Sequence, residues 1–118
     1  MLTIILKGEP KSNQHIYKIT CRGRFASMYL STQGKAIKTD YQWQVKSQYK
    51  KRPIKEKVEM EIRLYFKRKG KHDVDNYSKL ILDSLNGILL EDDGQIQRLT
   101  IEKFQAEEGR AEIEIYEL

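Results

Sequence analysis

Nine consecutive residues place Val58, Met60, Ile62, Leu64 and Phe66 in alternation with Glu59, Glu61, Arg63 and Tyr65. A period of two puts the apolar side chains on one side of an extended chain and the polar ones on the other. Such a segment is stable as a strand with one buried face, so the rest of the chain must supply a layer to cover that face. One candidate precedes it: Ile37, Tyr41, Val45 and Tyr49 stand at i, i+4, i+8 and i+12, an apolar stripe at helical spacing. Ser31 or Thr32 can cap this helix, which is expected to run to about Lys51 and to be closed by Pro53.

The remaining segments fit around these two. Met1 to Lys7 reads as a first strand with Leu2, Ile4 and Leu6 on one side. Glu9 to Arg24 mixes turn formers with bases and reads as a long loop or irregular hairpin around Ile16 and Tyr17. After the basic turn Lys67-Arg68-Lys69-Gly70-Lys71, a second helix is expected from Asp75 or Asn76. It carries Tyr77, Leu80, Ile81, Ser84, Leu85 and Ile88, and Asn86-Gly87 supplies its stop. Glu91-Asp92-Asp93-Gly94 is a turn. Leu99, Ile101 and Lys103, then Ala111, Ile113 and Ile115, alternate on either side of Glu107 to Arg110, which predicts a closing hairpin. The sum is an α+β fold, a mixed β-sheet with two main helices packed on it, and no linker divides residues 1–118 into more than one domain.

Composition narrows the function classes. With 39% apolar and 33% charged residues, 7 Gly and 2 Pro, the chain is neither disordered nor collagen-like. No apolar run approaches the roughly 18 residues of a spanning helix. The opening Met1 to Leu6 meets Lys7 too soon for a signal sequence, which predicts a cytoplasmic protein. Cys21 stands alone, so neither an internal disulfide nor a cysteine-based zinc site is available. Net charge is +5, but residues 1–71 hold 18 Lys/Arg against 5 Asp/Glu, while residues 72–118 hold 4 against 12. A polyanion-binding surface beside a carboxylate cluster would follow; folding that intermixes the two halves would leave no patch.

The acidic half contains Asp73-Val74-Asp75. In an extended chain, residues i and i+2 face one side, so both carboxylates can address one ion, with Asp92-Asp93 brought back by the intervening helix. Three or four hard oxygen donors suit Mg²⁺ or Mn²⁺ better than zinc. Lys79, four residues past Asp75, would lie on the same helical face and could hold a phosphate oxygen or steady a water. An EF-hand is excluded, since it would need Asp or Asn at Tyr77, Gly at Ser78 and Glu at Ser84. No glycine-rich phosphate loop is present.

The longer string Asp73-Val74-Asp75-Asn76, Lys79, Leu82-Asp83-Ser84-Leu85-Asn86-Gly87 and Glu91-Asp92-Asp93-Gly94-Gln95-Ile96 closely resembles, in order and spacing, the signature of the RusA family of Holliday-junction endodeoxyribonucleases. More loosely, Pro10-Lys11-Ser12-Asn13, Arg22-Gly23-Arg24 and Ser31 to Gly34 resemble the family's DNA-contact loop and the start of its first helix. The resemblance implies a RusA-like α+β fold and a magnesium-dependent, structure-selective endonuclease, with Mn²⁺ as a possible substitute. Such an enzyme would resolve four-way branched DNA by paired symmetric nicks, as a homodimer, in DNA recombination and repair. It implies metal ligation by Asp73, Asp75 and Asp93, a catalytic role for those three and for Lys79, and an acidic position at Asp92. It implies nucleic-acid contacts at Ser12, Asn13, Gln14, His15, Arg22 and Arg24. Lys69, Lys71 and His72 stand where the family carries a basic run, with His72 interrupting it.

Other readings stand beside this one. A branched-DNA-binding module without catalysis would account for the basic half but not for the carboxylate set. A structural α+β protein with surface acids would not explain why Asp73, Asp75, Lys79 and Asp93 match together. His72 reads equally as a phosphate contact or a helix-entry residue, and the Lys50 to Lys55 segment as a phosphate contact or a solvated helix end. Trp43 and the 7 Tyr read as core and helix-face residues rather than stacking platforms.

Overall fold

The alternating segment forms the strand it demands, Val58–Phe66, with Val58, Met60, Ile62, Leu64 and Phe66 all buried. The computed structural model describes residues 1–13, 16–23 and 25–118, and of residues 20, 22 and 25–27 the backbone. In chain order the elements are β1 (Leu2–Lys7), β2 (Tyr17–Arg22), β3 (Phe25–Leu30), α1 (Thr32–Gln48), β4 (Val58–Phe66), α2 (Lys79–Leu85), β5 (Ile96–Gln105) and β6 (Arg110–Glu117). Two short 3-10 turns, Val74–Asn76 and Asp93–Gln95, precede α2 and β5. β1, β6, β4 and β5 form one mixed sheet in that order, and β2 and β3 form a separate antiparallel hairpin. The fold is α+β, as expected.

The core lies between one face of the sheet and the two helices. Ile4, Leu6, Ala111, Ile113 and Ile115 join the β4 residues on that face, and Tyr41 and Val45 of α1 and Leu80, Ile81 and Leu85 of α2 cover them. The stripe read on α1 is therefore the packing stripe. Ser31 caps the helix, its hydroxyl accepting from the Gly34 N–H at 3.0 Å. A Cβ at Gly34 would come within 3.0 Å of the Ile16 carbonyl, so only glycine allows the β2 approach to pack this tightly on the helix start. Trp43 sits on the opposite face, 68% exposed. The helix ends at Gln48, three residues before the expected Lys51, where the Tyr49 N–H closes the last turn on Val45.

Three expectations are corrected. The loop around Ile16 and Tyr17 is a regular hairpin, with Tyr17 to Arg22 paired against Phe25 to Leu30. The second helix begins at Lys79, because residues 74–76 are wound as a 3-10 turn. The closing hairpin does not form: β5 runs parallel to β4, and β6 runs antiparallel on the other side, so β4 separates them. β4 buries a full apolar face and needs a partner on each edge, whereas β5 is exposed along most of its length and takes the outside position. The short link between them crosses the end of β4, where Ala106 N–H donates to the Phe66 carbonyl at 2.9 Å. A Cβ at Gly109 would meet Glu9 Cα at 2.6 Å, so glycine is required at that crossing.

The two sheet edges differ. Along β1, Gln48 accepts from the Ile5 N–H at 2.8 Å and donates to the Ile5 carbonyl at 2.7 Å. Gln44 does the same for Lys7, at 2.7 and 3.3 Å. Two side-chain amides from α1 thus occupy the positions a further strand would take. No helix among the described residues is long and apolar enough to cross a membrane.

Candidate nucleic-acid and metal site

At the end of β4 the chain enters the basic turn 67–71 and is gathered by His72. The imidazole stacks flat on Phe66, centroids 3.9 Å apart and planes 5° from parallel. Its two nitrogens lie 3.0 Å from the Tyr77 hydroxyl and 3.0 Å from the Arg68 carbonyl. Lys103 donates to the His72 carbonyl at 2.7 Å. Both ring nitrogens thus have partners within the protein. Glu9 anchors the same turn from the β1 side, its carboxylate accepting the Lys67 and Arg68 N–H groups at 2.9 and 3.0 Å.

Between these segments opens a cleft of about 600 Å³. Lys11, Ser12, Gln33, Arg68, Lys69, Lys71, His72, Asp73 and Asn76 line it, with Glu9 and Tyr77 at its wall. Tyr77 has its phenol pushed above the usual range by burial, then by the charges of Asp73 and Glu9, against an opposing pull from Arg68. Four cations and one of the sequence-predicted aspartates therefore share one depression, so the basic and acidic halves of the sequence do meet here.

The other expected residues lie elsewhere. Asn13 lines a smaller apolar recess with Tyr17, Ile19, Met28 and Lys79. Gln14, His15 and Arg24 lie outside the described residues, and Arg22 is described as β2 backbone alone. Asp75 and Asp93 are absent from the cleft lining. The expectation that Asp73 and Asp75 face one side assumed extended chain. A 3-10 turn begins directly after Asp73 and contains Asp75, so extended geometry does not run through both residues. Asp92 caps the turn before β5, accepting from Gly94 N–H at 3.0 Å, while Gln95 returns the bond to the Asp92 N–H. Gln95 also donates to the carbonyls of Ile54 and Glu56 at 2.8 and 2.7 Å, tying this turn to the start of β4.

Among the described residues no group of three His, Cys, Asp or Glu side chains lies close enough to hold a metal ion. The donors nevertheless suit one. The carboxylates of Asp73, Asp75 and Asp93 have no hydrogen-bond or ion-pair partner among the described residues, and hard uncommitted oxygens are what Mg²⁺ or Mn²⁺ takes. The turn bearing Asp75 packs against β5, and the turn bearing Asp93 against α2.

Lys79 opens α2, so Asp75 and Lys79 do not share the helical face expected for them. Its ammonium lies 3.4 Å from the Asp83 carboxylate and 4.9 Å above the Tyr17 ring. Tyr17 donates to Asp83 at 2.5 Å, and burial together with that carboxylate raises the Tyr17 phenol pKa. Sequence reasoning missed Glu9, Gln33 and Tyr17. Only the Lys79–Asp83 spacing of four carried a local signal for this cluster; the others are long-range contacts.

The geometry is that of an α+β domain with a cation-lined cleft and with acids on two turns, Asp75 and Asp93, that are unpaired among the described residues. The family described as Endodeoxyribonuclease RusA matches residues 7–116 of the 118, and the chain belongs to that family. It is also similar to the uncharacterized protein YqaN of Bacillus subtilis (strain 168), 46% identical over 48 residues. That stretch covers 41% of this chain and 34% of YqaN, so the chain matches about a third of that relative's length.

Proposed function

We propose that this protein is a divalent-metal-dependent endodeoxyribonuclease of residues 1–118 as one domain, binding four-way branched DNA and resolving it by paired symmetric nicks. In this reading it acts as a homodimer in the cytoplasm, in DNA recombination and repair. The observation that carries the reading is the family match across residues 7–116, together with the cationic cleft that Asp73 enters.

Asp73, Asp75 and Asp93 would hold Mg²⁺, which supplies an activated water and neutralises charge on the scissile phosphate. The chain's own residues do the rest. Lys11, Lys69 and Lys71 dock phosphates along the cleft, and Ser12 and Asn76 add neutral donors there. His72 and Glu9 keep the basic turn in place. Lys79 offers a cation at the start of α2, held by Asp83, for the charge that builds on the phosphoryl oxygens or the leaving group. Among the described residues these carboxylates do not form a ready-made cluster of three.

The lack of a formed cluster among the described residues also favours a second reading, a branched-DNA-binding module without catalysis. A nicking assay on synthetic four-way junctions, with and without Mg²⁺, decides between them. Metal-dependent nicking that Asp75→Asn or Asp93→Asn abolishes, with junction binding retained, supports the enzyme. Binding without nicking in the wild type supports the module.

A further inference from the structure

The two edges of the sheet are treated in opposite ways. β1 is closed off by Gln44 and Gln48, which satisfy its outward N–H and carbonyl groups at Ile5 and Lys7. β5 is the other edge, ten residues long, and among the described residues nothing pairs with its outer side. It contains no proline, and after one irregularity at its first residues its register against β4 runs unbroken to Gln105. Proteins ordinarily blunt such an edge with a short strand, a proline, charge or a covering element. β5 does carry the charges Arg98, Glu102 and Lys103, but its length and unbroken register leave its outer side open to a strand whose charges match.

We propose that the occupant is β5 of a second copy, paired antiparallel about a two-fold axis through Thr100. This rests on the homodimer reading above and assigns its surface. The sequence of β5 is self-complementary about Thr100: each Arg98 falls opposite the second copy's Glu102, and each Leu99 opposite its Ile101. Glu102 has no partner of its own among the described residues, and Arg98 reaches Glu59 only at 3.8 Å with its side chain 74% exposed. Leu99 is 39% exposed, an apolar side chain that a neighbouring strand would cover. In this register, opposed side chains share a face. Arg98, Thr100 and Glu102 lie on the open face with Glu59, Glu61 and Arg63, and Leu99 and Ile101 on the helix-covered face with Met60 and Ile62. The two four-stranded sheets become one continuous sheet with both helical layers on the same side. An isologous contact of this kind presents two identical sites to a two-fold substrate.

Cross-linking tests the axis. In a Cys21→Ser background, which removes the exposed native thiol, Thr100→Cys sets two thiols opposite each other within disulfide reach. Mild oxidation is expected to give a covalent dimer. Glu102→Cys in the same background is expected to stay uncross-linked, because the axis puts those positions about 13 Å apart. Arg98→Glu or Glu102→Arg alone should weaken dimerisation by about tenfold, by placing like charges opposite one another, and the double exchange should restore it. A sedimentation dimer that neither cross-links at residue 100 nor responds to charge reversal overturns this surface and leaves paired nicking standing. A chain that is monomeric both alone and on four-way DNA overturns both, and leaves the edge to a strand from another protein.

Discussion

The Tyr17 hydroxyl and the Asp83 carboxylate lie 2.5 Å apart, joining the base of the β2–β3 hairpin to helix α2 across 66 residues of sequence. Lys79 completes the cluster, over the ring of one and beside the carboxylate of the other. The hairpin is otherwise a two-stranded unit outside the main sheet, and two strands alone are marginal in water. Its orientation toward α2 therefore depends on this bond and on the packing of Ile16 and Leu30.

Tyr17→Phe keeps the ring and deletes the bond. A hydrogen bond to a carboxylate in a half-buried setting is worth about 1–2 kcal/mol, so the variant should lose that much in urea unfolding. Hydrogen exchange should rise in β2 and β3 while β4 stays protected. Equal protection of the hairpin in both proteins would mean that packing alone holds it.

A second tyrosine gives a pH signature. Burial, then the charge of Asp40, pushes the Tyr41 phenol up to about 12 from 10.0. The unfolded chain releases that proton near 10 while the folded chain keeps it, so the stabilisation is complete below pH 10 and declines as pH rises toward 12. The loss from Tyr41 approaches about 2 kcal/mol across that window. Denaturant midpoints across the alkaline range should fall in the wild type, and less steeply in Tyr41→Phe.

Local pattern carried the helix stripe and the central strand because a single period decided each: Tyr41 and Val45 at helical spacing, Met60 to Phe66 at two. It failed where distant contacts override local shape. The Asp73–Asp75 spacing reads as extended chain, whereas Asp75 lies in a 3-10 turn that begins directly after Asp73, close to where His72 stacks on Phe66 and Lys103 holds the His72 carbonyl. Strand order was equally illegible, since the alternations of β5 and β6 are the same whether the strands pair with each other or flank β4. The acids of the candidate site could be named from the motif; Glu9, which pins the basic turn from 58 residues away, could not.

Charge in the cleft sets the salt dependence. Lys11, Arg68, Lys69 and Lys71 line one depression. Six or so phosphate contacts would cost on the order of 10³-fold in junction affinity between about 50 and 200 mM salt. Lys69→Ala should lower the slope of log affinity against log salt by about one. A slope unchanged by that variant would place the phosphate track outside the cleft.

Lys79 has two possible employments, and they separate cleanly. As a surface partner of Asp83 it is worth at most about 1 kcal/mol, because its side chain is 47% exposed and the pair is solvent-screened. Lys79→Ala would then soften α2 slightly and leave cutting unaffected. In the proposed enzyme the ammonium instead offsets charge that develops as the phosphodiester breaks. Losing one such donor lowers the single-turnover rate by about 10²-fold or more, while junction affinity stays within a few fold. Lys79→Arg should rescue only in part, since a planar guanidinium cannot take the compact position of an ammonium beside Asp83. Single-turnover cleavage and junction binding measured on one preparation decide the matter. An unchanged rate, or a loss confined to binding, removes Lys79 from the chemical step and leaves it as a strut of the Tyr17–Asp83 joint.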